Sequence, residues 1–172
     1  RYLVESILRP VIKDYDFIIL DCAPGYNLLT RSGLLASSFY LLPARPEPLS
    51  IIGIQLLERR LAQQRELHKD NPVNIQLLGI VFTMSGNIFT GRYYQQVMRR
   101  VNEDYSTTKI FKTRVPNDVS VSKAVDAFMP VVLCNPQSTG GKSFTQLTQE
   151  FLQKITVISS QKQNPSKLNL EE

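Results

Sequence analysis

Cysteine is scarce. The 172 residues hold two, Cys22 and Cys134, too few for a disulfide framework, and this makes the reducing cytosol the expected compartment. Long apolar runs are missing too. A helix that crosses a bilayer needs roughly 18 or more apolar residues, and no stretch reaches that length. Arg1-Tyr2-Leu3-Val4-Glu5 lacks the charged, apolar, small-residue order of a secretory leader. Histidine occurs once, as His68; beside Lys69 and Asp70 at a helix end it reads as exposed and inert. Cys22 has no histidine or second cysteine near it in sequence, which argues against a metal or nucleophile role. There are no internal repeats.

What is present suits one soluble domain. Hydrophobic residues make up 42% and charged residues 20%, enough for a core. The expected domain covers 1–160, followed by a polar, disordered tail over 161–172 that includes Gln161-Lys162-Gln163-Asn164-Pro165-Ser166. The formal net charge is +5. A basic excess of this size permits contact with nucleic acid or an anionic surface, and it equally suits ordinary solvated charge.

Apolar runs alternate with helical periodicity. Tyr2, Leu3, Ile7, Leu8 and Val11 fall at helix spacing. Strands are expected near 16–21, 38–42, 75–83 and 109–114. Between them the spacing predicts helices at 28–36, 49–69 and 93–105, with a short one after Pro116. A last helix carries Phe144, Leu147, Phe151, Leu152, Ile155 and Ile158 as one stripe. The implied fold class is α/β, a mostly parallel sheet flanked by helices.

The strongest local feature is Tyr15-Asp16-Phe17-Ile18-Ile19-Leu20-Asp21-Cys22-Ala23-Pro24-Gly25. Ligands of open parallel sheets bind beyond the carboxyl ends of strands. Asp21 stands at such an end, where a carboxylate can hold the water shell of Mg2+. The Pro24-Gly25 turn lets the backbone approach a phosphate. The plainer reading is a strand ending in an acidic turn. Gly140-Gly141-Lys142-Ser143 looks like part of a phosphate-binding loop but fails the spacing. Pro136, which has no amide proton, stands where the first glycine belongs.

These pieces together resemble the ParA/Soj-type partition ATPases, relatives of MinD. Asp21-Cys22-Ala23-Pro24 is similar to their switch II. Pro43-Ala44-Arg45-Pro46-Glu47 matches the turn that closes the next strand. Leu78-Gly79-Ile80-Val81-Phe82-Thr83-Met84, then Val115-Pro116-Asn117-Asp118-Val119 with Lys123-Ala124, then Pro130-Val131-Val132 and Ser138 to Lys142 follow in the family's order over about 1–155. The resemblance implies a P-loop NTPase-like fold, with ATP and Mg2+ as cofactors. Asp21 would hold the Mg2+ water shell, with Cys22, Ala23, Pro24 and Gly25 as switch II. Thr83, Met84, Pro116, Asn117 and Asp118 would lie by the purine, although Pro116-Asn117-Asp118 is also an ordinary helix start.

The family's two-lysine glycine loop and its switch I aspartate do not occur in these 172 residues. The chain is therefore expected to be a piece or shortened copy of an ATPase. By itself it should be inactive and bind no cofactor.

As implied partners, the resemblance gives an ATP-dependent homodimer, non-specific DNA and a ParB-like or other partner protein, in a cytoplasmic, nucleoid-associated setting. Arg92, Arg99 and Arg100 are the expected phosphate contacts, with Arg59, Arg60 and Arg65 as a second basic helix; a solvated face is the alternative for both. A MinD-like membrane switch is the competing function, and the tail Pro165-Ser166-Lys167-Leu168-Asn169-Leu170-Glu171-Glu172 speaks against it, since a membrane-seeking helix is basic and amphipathic. The third reading is a non-enzymatic interaction module that kept the sheet and lost nucleotide chemistry.

Overall fold

A computed structural model describes residues 2–67, 74–84 and 92–163. It contains α1 (Tyr2–Leu8), α2 (Leu28–Ala36), β1 (Phe39–Ala44), α3 (Pro48–Leu67), β2 (Gln76–Phe82), α4 (Arg92–Asp104), α5 (Val119–Asp126), α6 (Val131–Cys134) and α7 (Thr139–Gln163), with a 3-10 turn at Thr107–Lys109. The chain divides into two compact units. The first comprises 1–42 and 51–78, the second 43–50 and 79–172.

β1 and β2 are hydrogen-bonded neighbours. Gln76 N–H donates to Ser38 O, and further along Thr83 N–H donates to Ala44 O. Both partners advance together, so the strands are parallel and need a crossover between them. α3 is that crossover, and the fold is α/β with a parallel sheet flanked by helices. Pro48 opens α3, where a missing N–H costs nothing. Ile51, Ile54, Leu61 and Gln64 form its buried face.

In the first unit, Leu35, Tyr40, Leu61 and Ile75 form the core, with Leu34, Leu42, Leu57 and Leu77 packed against it. Asn27 starts α2 by accepting from Thr30 N–H at 2.9 Å, the usual way to satisfy an orphan donor of the first turn. Ser32 Oγ, buried in α2, accepts from Val4 N–H of α1 at 3.3 Å. Arg65 donates from Nη2 to Ile75 O at 2.8 Å, and the Tyr40 hydroxyl donates to Glu58 Oε1.

The expected strand at 16–21 is not formed. Residues 17–20 lie outside every strand among the described residues, and Ile19 is 83% exposed. Apolar content alone does not make a strand. It needs a neighbour with backbone groups in register, and here the described sheet consists of β1 and β2.

In the second unit, Gly79 to Phe82 of β2 are buried without a break, as suits a parallel strand covered on both faces. The segment expected as a strand at 109–114 meets β2 through one parallel bridge, Ile80 to Ile110. Phe111 N–H also donates to Ile80 O, and Val115 N–H to Phe82 O, each at 2.9 Å. The intervening donors turn elsewhere. Lys112 N–H and Thr113 N–H donate to the two carboxylate oxygens of Glu150 on α7, at 2.7 and 2.8 Å. Lys154, one turn further along, donates to Thr108 O at 2.6 Å and lies 4.9 Å from the centre of the Phe111 ring. Burial lowers the Lys154 pKa, with Glu150 opposing and Lys109 and Lys112 adding to the shift. α7 runs to Gln163; the rest of the expected tail, 164–172, lies outside the described residues.

Candidate nucleotide-binding site

The residues expected at the site fall in both units. In the first, Asp21, Cys22, Ala23, Pro24 and Gly25 are all exposed. Gly25 has φ 108°, a backbone state that side chains resist, so the turn requires glycine there. Thr30 Oγ1 approaches Ala23 O at 3.5 Å, and α2 passes close enough for a methyl on Gly33 to touch Leu20 and Cys22. The turn thus rests on α2 while the Asp21 carboxylate faces solvent. Among the described residues no group of three or more His, Cys, Asp or Glu gathers. An open single carboxylate fits a cation that keeps its own waters.

Tyr26 follows this turn and escaped the sequence reading. Its hydroxyl is buried and has no hydrogen-bond partner among the described residues. Burial raises its pKa, opposed by the charges of Arg31 and Arg60. A half-buried aromatic beside a glycine turn carries no distinctive spacing, so nothing in the sequence marked it.

In the second unit, Thr83 and Met84 lie just beyond β2, with Met84 at φ 49° and 61% exposed. Asn117 is exposed and Pro116 half-buried. Asp118 does structural work. Its Oδ1 accepts from Ser120 N–H at 2.8 Å and its Oδ2 from Gly140 N–H at 2.7 Å. It caps α5 and also holds the first turn of α7. The amides of Gly140 first and Ser120 second hold its pKa below the usual carboxylate value.

The glycine pair at 140–141 belongs to this packing. A Cβ on Gly140 would sit 2.5 Å from Val121 Cγ2, and one on Gly141 would sit 2.5 Å from Asn135 O. Lys142 is exposed and Ser143 is buried, donating to Thr139 O at 2.8 Å. The stretch is a helix start fitted against α5, preceded by a turn where a phosphate loop would have a strand.

Arg92 opens α4, and Arg99 and Arg100 are exposed two turns further on. Val97 and Val101 are the buried side of the helix. Arg59 and Arg60 are exposed on α3, whereas Arg65 is engaged with Ile75 O and serves packing. His68 lies outside the described residues.

Residues 1–77 match a family model described as an AAA domain. The chromosome-partitioning ATPase Soj of Treponema pallidum is 29% identical over 149 residues, 87% of this chain and 56% of that protein. The sporulation initiation inhibitor protein Soj of Bacillus subtilis is 32% identical over 149 residues, 86% of this chain and 56% of that protein. The chromosome partitioning protein ParA of Myxococcus xanthus is 28% identical over 158 residues, 91% and 53%. The chain spans about half the length of these relatives. In structure it is similar to the cell division ATPase MinD of Pyrococcus furiosus, with a TM-score of 0.56 at 22% identity over 92% of this chain and 58% of that one. That likeness concerns the fold.

Proposed function

Because the chain is a homologue of the ParA/Soj-type partition ATPases, we propose that it forms the switch II and purine-side part of an ATP-dependent partition switch. The observation that carries this reading is the exposed Asp21 ahead of a turn whose Gly25 has φ 108°. Asp21 would hold Mg2+ through its waters. The ion would neutralise phosphate charge, a large part of phosphoryl-transfer catalysis. Gly25 keeps the turn free of a side chain that would crowd a phosphate.

Purine contact rests with Thr83, Met84, Pro116 and Asn117. Asp118 supports them from below by fixing α5 and α7. The expected lysines of the phosphate clamp are not among these 172 residues. The chain by itself should therefore hold ATP weakly, with a dissociation constant of about 1 mM or more. ATP would favour a homodimer that binds DNA without sequence preference through Arg92, Arg99 and Arg100, and a ParB-like partner would stimulate release.

The membrane alternative has less support. No described helix is long and apolar enough to cross a membrane, and that finding does not bear on a surface-bound helix. The tail sequence is what favours DNA.

The test is a chimera in which the part of Treponema pallidum Soj ahead of the matched region precedes residue 1. DNA-stimulated phosphate release by the chimera, lost in Asp21→Ala, supports the proposal. A folded chimera with unchanged turnover after Asp21→Ala refutes the assignment.

A further inference from the structure

The end of α5 carries a phenylalanine where the backbone favours glycine. Met129 N–H donates to Ala124 O at 3.0 Å, and Phe128 N–H donates to Val125 O at 2.9 Å. This pair of bonds closes a helix around a left-handed residue, and glycine is its usual occupant. Here the residue is Phe128, at φ 52°. Its side chain is 96% exposed, so it contributes almost nothing to the core of its own unit. A bulky residue in this region is an outlier, and outliers of this kind gather where a surface is used.

The ring has apolar company. Val125 is 70%, Met129 47% and Leu133 67% exposed. Two exposed charges of opposite sign stand beside them on α5, Lys123 and Asp126. Neither belongs to an ion pair among the described residues. They are three positions apart, on one side of the helix.

We propose that this surface binds a second copy of the chain about a two-fold axis. In such an interface residue i meets residue j and j meets i. Lys123 of each copy can then face Asp126 of the other, and Phe128 with Val125, Met129 and Leu133 forms the apolar centre. A patch that carries both signs beside an apolar knob complements itself. A partner of one charge sign would leave one of the two groups opposed. The interface needs no nucleotide and stands apart from the ATP-dependent dimer proposed above.

Sedimentation velocity of the purified chain without nucleotide, over a range of concentrations, tests this. The wild type should shift from monomer to dimer. Lys123→Asp and Asp126→Lys should each weaken the dimer about tenfold or more, because each places like charges together twice. An equimolar mixture of these two variants should recover a heterodimer, since every facing pair is then opposite in sign. Phe128→Gly should weaken association by a similar factor while its melting midpoint in dilute solution stays at or above that of the wild type. A wild type that stays monomeric overturns the proposal, as does undiminished association of folded Phe128→Gly. If Phe128→Gly fails to fold, the mixture decides: a heterodimer supports the interface, and two monomers refute it.

Discussion

Gly140 N–H donates to Asp118 Oδ2 at 2.7 Å, a bond between the first turn of α7 and the residue that caps α5. The same carboxylate accepts from Ser120 N–H. One side chain therefore satisfies orphan donors at two helix starts. It also explains why position 140 is glycine: a Cβ there would meet Val121 at 2.5 Å and Asp118 Oδ2 at 3.3 Å.

This arrangement predicts an acid-dependent loss of stability. The folded pKa of Asp118 is lowered, so its contribution is present above the unfolded value, about 3.9. It is lost as pH falls through the lower folded value. Asp118→Asn should melt below the wild type at neutral pH, and the gap should close as pH drops through that window. Thermal melts of both proteins from neutral to acid pH check this. A gap that is constant with pH would remove the charge from the explanation.

Gly79 and Phe111 make a second close fit. A Cβ on Gly79 would lie 2.6 Å from Phe111 Cε2, and the Phe111 ring is buried. Gly79→Ala should cost about 1–3 kcal/mol, the usual effect of overpacking a core. Adding Phe111→Leu should recover part of that loss. Urea titrations of the two single variants and the double variant give the coupling. Fully additive losses would show that the two sites do not share the strain.

Tyr26 yields a prediction of the opposite sign. Its buried hydroxyl has no hydrogen-bond partner among the described residues, and an unsatisfied buried polar group costs stability. Tyr26→Phe should stabilise the chain by about 1 kcal/mol, measured by the same denaturant titration. Destabilisation would mean that the hydroxyl is satisfied in solution.

DNA binding through α4 predicts a salt signature. Arg99→Ala with Arg100→Ala should weaken binding evenly across sequences. The slope of log affinity against log salt should flatten by about 1 for each phosphate that is no longer neutralised. Titrations of labelled duplexes at several salt concentrations check this. An unchanged slope would move the DNA-binding face away from α4, with the exposed Arg59 and Arg60 of α3 the next pair to replace.

Much of the fold was legible because it rests on periodicity. The unbroken burial of Gly79 to Phe82 follows from an apolar run too continuous for a half-exposed strand. Val97 and Val101 face inward as their spacing predicts. The run at 17–20 misled because its local pattern is that of a strand, whereas a strand also requires a neighbour in register. Arg65 looked like part of a basic face, yet its guanidinium donates to Ile75 O, a carbonyl ten positions away that no local pattern reveals. Glu150 was missed for the same reason: its partners at 112 and 113 are distant in sequence. The turn around Asp21 was legible from its residue types, since Pro24-Gly25 announces a special backbone and Gly25 has one.

The central claim is that Asp21 serves nucleotide chemistry rather than simply ending an apolar run. Its most direct measurement is steady-state phosphate release by the Soj chimera and by its Asp21→Ala variant, with far-ultraviolet spectra to confirm folding. The account predicts DNA-stimulated turnover in the first and a loss of about a hundredfold or more in the second, the scale of removing one charge-stabilising group from a transition state. Equal turnover in two equally folded proteins would contradict it.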